Sequence, residues 1–205
     1  MKKICLAICL IVAGFTAKAQ NAMNGVSLVN VYGADYSEVW IRDAEKSKLS
    51  QFVSKAETAK EYVSTFEDIN LLLAQDPEKY DFGKMLRKPV KLDIEPVCNL
   101  IRHRDTADLR ERPEHPINVS EQLKRYELQE TEGLGMILIA TNLDKRMGKG
   151  TYVVVCFDIA TRDILFRQEI TTSAGGFGLR NYWANTVEDI IEDKALRNEL
   201  RKLMK

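Results

Sequence analysis

Cysteine, proline, glycine and histidine are all scarce. Of four cysteines in 205 residues, Cys5 and Cys9 lie in the first ten, leaving Cys98 and Cys156, too few for a disulfide scaffold. Five prolines and 11 glycines exclude a fibrous or low-complexity chain. Two histidines in one loop and two distant cysteines supply no familiar zinc spacing. No G-x-S-x-G elbow occurs, and the Asp and Glu residues fall on polar helix faces, so no catalytic set stands out. Charge of one sign is lacking too: 30 basic residues balance 30 acidic ones, and no basic stripe is interleaved with aromatics, which argues against a nucleic-acid partner.

One apolar stretch opens the chain. Lys2 and Lys3 precede a run from Ile4 to Phe15 that ends in Ala17-Lys18-Ala19. The run is too short to span a bilayer, and the small residues suit a signal peptidase, so residues 1–19 read as a secretory signal peptide cut before Gln20. Lipoprotein processing at Cys9 fits less well, because Ile8 stands where a small residue is needed. The mature chain, 20–205, would carry 27 basic and 30 acidic residues. No later segment approaches a membrane span, and a periplasmic or secreted domain is expected. In that compartment Cys98 and Cys156 are two buried thiols, one bridge or a catalytic thiol, and spacing does not decide.

What is present has the periods of a packed α/β domain. Val26 to Tyr32 is β-rich, and Tyr36 to Ile41 reads as extended beyond Gly33, as a hairpin or a bent strand. Leu49, Phe52, Ala56, Ala59, Val63, Phe66, Ile69 and Leu73 form a helical stripe. Asp76-Pro77 predicts a short helix through Tyr80, and Val90, Leu92 and Ile94 alternate as a strand. Asn118 and Glu121 make a capping box for a helix over 119–128. Leu134–Ala140, Thr151–Ile159 and Asp163–Thr171 predict a three-stranded antiparallel meander, with Val153 to Phe157 central because it is apolar on both faces. Gly175-Gly176-Phe177-Gly178 leads into a closing helix that buries Trp183, Val187, Ile190 and Ile191, its stripe continuing through Leu196, Leu200 and Leu203. The expected fold is a single α/β (α+β) domain: a mixed sheet with a C-terminal meander and helices packed on it.

Tyr32-Gly33-Ala34-Asp35-Tyr36-Ser37, Ile69-Asn70-Leu71-Leu72, Glu78-Lys79-Tyr80-Asp81 and the segment Gly175 to Trp183 together resemble small secreted proteins of the Bacteroidetes type that carry no assigned activity. The meander, with Phe157-Asp158 before a tight turn and a Gly-rich lead into the last helix, resembles the α/β domain of the curli-secretion lipoprotein and of the Tol-system translocation protein's N-terminal domain. That second resemblance covers about half of the mature chain and implies an envelope protein that acts through protein contacts.

Two regions are candidate binding surfaces. The charged loop from Arg102 to Pro116, with His103, Arg104, Arg110, Arg112 and His115 among acids, is long enough to be functional, and Arg104 and Arg110 are expected to serve a partner and not the fold. Its Asp105-Thr106-Ala107 also resembles a periplasmic O-glycosylation acceptor. Arg180 and Tyr182, off the Trp183 stripe, are the second pair. The expected function is a non-enzymatic binding or assembly module of the cell envelope that needs no cofactor or metal. The alternative is a small periplasmic hydrolase with a site near the turn at 175–178.

Overall fold

The computed structural model describes residues 22–42, 55–104 and 115–205, with side chains in the first helix from residue 60 onward. The signal peptide, the start of the first helical stripe, Arg110, Arg112 and Asp105-Thr106-Ala107 lie outside the described residues.

The strands are β1 (Val29–Asp35), β2 (Trp40–Arg42), β3 (Val90–Leu92), β4 (Leu134–Asp144), β5 (Lys149–Asp158) and β6 (Ile164–Ser173). The helices are α1 (Lys55–Gln75), α2 (Phe82–Leu86), α3 (Glu95–Arg102), α4 (Val119–Lys124), α5 (Leu179–Glu192) and α6 (Lys194–Leu203). One mixed sheet runs β3-β1-β4-β5-β6, and β2 extends it by pairing with the far end of β4. β1 is parallel to both β3 and β4, whereas β4, β5 and β6 form the expected antiparallel meander. The 36–41 segment is therefore no hairpin arm: β1 and β2 both run parallel to β4, with a turn between them in which Val39 N–H bonds Tyr36 C=O.

Helices cover both faces because both faces of the inner strands are apolar. On one face Val31, Met136, Val154 and Cys156 pack against Phe66 and Ile69 of α1, Met85 of α2, Trp183 and Val187 of α5 and Leu200 of α6. On the other, Tyr32, Ile137, Val155 and Phe157 meet Val97 and Cys98 of α3, Val119 and Leu123 of α4, and Tyr126. The crossovers from β1 to β3 and from β3 to β4 thus pass on opposite faces.

Four details differ from the periodicity. Pro77 starts no helix: the Asp76 carboxylate caps a turn through Lys79 N–H at 3.2 Å, and the helix begins at Phe82 under an Asp81 cap. Pro96 opens α3, a helix set inside what reads as loop, with Val97, Cys98 and Ile101 inward. The helix capped by Asn118 stops at Lys124. The closing stripe is two helices, because Asp193 ends α5 and caps α6 by accepting Leu196 N–H at 2.7 Å.

A β-bulge at Tyr32-Gly33 shifts the β1–β4 register between Val31 and Ala34. Gly33 adopts φ +79°, and a Cβ there would lie 2.4 Å from Asn70 Oδ1. The Asn70 amide takes the place of a strand neighbour: Oδ1 accepts Ala34 N–H at 2.8 Å and Nδ2 donates to Ala34 C=O at 2.8 Å. Its second amide proton reaches Phe66 C=O at 3.2 Å, so this fully buried side chain is satisfied.

Candidate functional site at the Gly-rich corner

Two neighbouring turns build an exposed corner where β4 and β6 end and β5 begins. In the β4–β5 hairpin, Asp144 Oδ1 accepts Arg146 N–H at 2.9 Å and Met147 N–H at 3.0 Å, and Gly148 closes the turn with φ +62°. The second turn follows β6. Ala174 N–H bonds Gly148 C=O at 2.8 Å, tying the turns together, and Gly175 N–H bonds Tyr182 C=O at 3.1 Å. Gly176 and Gly178 take φ +101° and +81°, a region closed to most side chains, and so aim the residue between them outward. That residue is Phe177. Its ring is 95% exposed, while its C=O is held by Asn181 Nδ2 at 3.1 Å. Met147, on the adjoining turn, is 67% exposed.

Tyr182 links the turns to the core. Its ring meets Trp183 edge-on with centroids 4.9 Å apart, and a Cβ added at Gly148 would lie 3.2 Å from its hydroxyl. Trp183 is fully buried, as its stripe predicts. Arg180 is exposed and among the described residues bonds only Asn181 Oδ1, at 3.2 Å. Lys145, Arg146 and Lys149 are also exposed, whereas Asp144 is buried and turned toward the hairpin backbone and Arg42. The corner therefore presents two apolar tips among four cations. Its turn backbones are held by hydrogen bonds, so contact would have to order side chains and not main chain, and it suits a partner with acidic and apolar groups.

The other expected site residues lie elsewhere. Arg104 follows α3, half-buried, and its guanidinium donates to Tyr36 C=O and Val39 C=O, both at 2.6 Å. It clamps the β1–β2 turn, so the expectation that it contributes nothing to the fold is corrected. Cys98 and Cys156 are free thiols in the cores on opposite faces of the sheet, and no bridge joins them. Burial pushes Cys98 up to about 11 and Cys156 up to about 12, which keeps both thiols protonated and unreactive at neutral pH.

A buried polar cluster at the end of β1 escaped sequence reasoning. Asp35 Oδ1 accepts Ser37 N–H at 2.7 Å, and Oδ2 accepts Gln122 Nε2 at 2.6 Å and Tyr126 O–H at 2.5 Å. Gln122 also donates to Ser37 Oγ at 2.8 Å. Burial, then the Asp35 charge, pushes the Tyr126 phenol well above its ordinary range. With Asp35 fully buried and its donors in the core, the cluster fastens α4 to β1 and offers no approach to a substrate.

An open cleft of about 410 Å³ lies at the opposite end of β5 from the Gly-rich turn, lined by Gly25, Val26, Leu28, Gly133, Asp158 and Leu165 among others. Among the described residues no group of three or more His, Cys, Asp and Glu is arranged to hold a metal ion, and no helix is long and apolar enough to cross a membrane. Comparison with protein-family models, curated proteins and solved structures finds no match to this chain.

Proposed function

We propose that the chain is a non-enzymatic binding or assembly module of the cell envelope, exported by its N-terminal leader, which engages a protein partner through the corner at Met147, Phe177, Arg180 and Tyr182. The observation that carries this reading is Phe177. A fully exposed aromatic ring costs solubility, yet two glycines in the left-handed region and a side-chain bond to its own carbonyl hold it out. Exposed aromatic and arginine side chains on a preformed surface are the groups that most often dominate protein recognition. The resemblance to envelope proteins that act through contacts points the same way. The hydrolase alternative gains no support from the cleft, which lies at the far end of β5 from the Gly-rich turn.

A photo-crosslinking residue in place of Phe177 identifies the partner in envelope extracts, and affinity is then measured with both proteins purified. Phe177→Ser should weaken binding by about tenfold or more, the effect of losing a central aromatic anchor, and should leave the melting temperature unchanged. Unaltered affinity, or no crosslink from position 177, would remove the corner as the site. Mass spectrometry of the exported protein should find Gln20 at the N-terminus; an acylated cysteine would contradict the assigned leader.

A further inference from the structure

A separate surface carries an inference independent of that reading. β6 is a ten-residue edge strand with neither proline nor lysine, although edge strands are commonly guarded by such residues. Its outward backbone groups can be assigned. Ala174 N–H bonds Gly148 C=O, and successive residues alternate in direction, so Gln168, Ile170 and Thr172 face β5 while Arg167, Glu169, Thr171 and Ser173 point their N–H and C=O away. Ser173 fits this assignment, because α5 covers it: Asn185 Nδ2 donates to its C=O at 3.3 Å and its N–H bonds the Asp189 carboxylate. No described residue pairs with the edge at Arg167, Glu169 and Thr171.

We infer that this edge pairs with the same edge of a second copy, antiparallel about a two-fold axis through Gln168. Only registers that place outward-facing residues opposite each other form ladder bonds, and the charges choose among them. With the axis at Gln168, Arg167 lies directly opposite Glu169 of the second copy, and Glu169 opposite its Arg167, on the exposed face. Moving the axis by one residue either way sets arginine against arginine or glutamate against glutamate, which is unfavourable in directly opposed positions. Neither side chain has an ion-pair partner among the described residues, so both are available.

The other face of the strand agrees with this register. Phe166, in the core, would meet Ile170 of the second copy and continue the apolar layer. Gln168 would face its own equivalent, and its Oε1 is buried without a hydrogen-bond partner in the single chain. An amide from the opposing Gln168 supplies the missing donor. The arrangement is isologous and closed, as a two-fold dimer requires.

Light scattering and sedimentation over a concentration series should show a monomer–dimer equilibrium. Glu169→Arg and Arg167→Glu, each of which turns both cross-strand pairs repulsive, should weaken it by about tenfold. The combined swap, Arg167→Glu with Glu169→Arg, should restore it. Circular dichroism should be the same for all of these variants. Gln168→Cys should form an intermolecular disulfide on oxidation, since residues directly opposite at a non-hydrogen-bonded position bring their Cβ atoms about 4.5–5.5 Å apart. A chain that stays monomeric throughout, or a dimer indifferent to both single reversals, would overturn the inference.

Discussion

Replacing Asn70 tests the bulge in β1 most directly. In Asn70→Ala the Ala34 N–H and C=O both lose their partners in a site without solvent access. Each stranded group costs about 1–3 kcal/mol, so the variant should lose about 4 kcal/mol. That is a large share of the roughly 5–15 kcal/mol that holds a domain together. The Phe66 carbonyl, which accepts at 3.2 Å within the same helix, adds little. Asn70→Asp sharpens the test. As a neutral acid it reproduces both bonds, one oxygen accepting from Ala34 N–H and the protonated oxygen donating to Ala34 C=O. As a carboxylate it sets negative charge against that carbonyl, so its folded-state pKa must be raised. Below the unfolded value of about 3.9 the variant should approach the parent in stability. As pH rises from there to the folded pKa it should lose up to about 1.4 kcal/mol per unit. Urea titrations of parent and both variants between acid and neutral pH supply the measurement. A cost under about 1 kcal/mol for the alanine variant, or parallel pH profiles for parent and aspartate variant, would refute the role given to Asn70.

Other expectations follow from contacts already described. Arg104→Ala frees the Tyr36 and Val39 carbonyls from a guanidinium and should cost about 2 kcal/mol, against about 3–5 kcal/mol for Trp183→Ala; chemical denaturation ranks them, and an unchanged midpoint for the arginine variant would refute the clamp. Tyr36 and Tyr126 are pushed well above their ordinary range and Tyr152 up to about 12, in each case first by burial. The unfolded phenols ionise near pH 10 while the folded ones stay protonated, so their contribution to stability is constant below that pH and is lost as pH rises above it. Denaturation midpoints at increasing alkaline pH, with phenolate absorbance as a second readout, check the direction.

The meander and the last helices were legible because their signals are local. Val153 to Phe157 is apolar at every position, and the Trp183-Val187-Ile190 spacing points to one face whatever the rest of the chain does. Helix α3 was also written in Val97, Cys98 and Ile101, but Pro96 reads as a break unless it is recognised as a first-turn residue. The position of Arg104 and the Asp35 cluster were not legible. Asp35 meets Gln122 and Tyr126 only because the crossover returns α4 to the end of β1, and an isolated Asp-x-Ser carries no trace of that partner. At the corner, Arg180, Tyr182 and the glycines were visible in sequence. Met147 was not, since its place beside them depends on the hairpin pairing Gly148 with Ala174.

The position of β1 between two parallel neighbours governs the order in which the chain can assemble. Val29 pairs with Val90 on one side and Leu134 on the other, so the first strand synthesised has no complete berth until the chain has reached β4. The pairings within the meander close through short connections and need no upstream strand. Non-local pairings form slowly because the loop between them must first be ordered. On this topology the C-terminal half should form before β1 is placed, opposite to the direction of synthesis. In that interval Val29, Val31 and Tyr32, all buried in the folded chain, would lack their partners and would be the segment a holding chaperone has to shield.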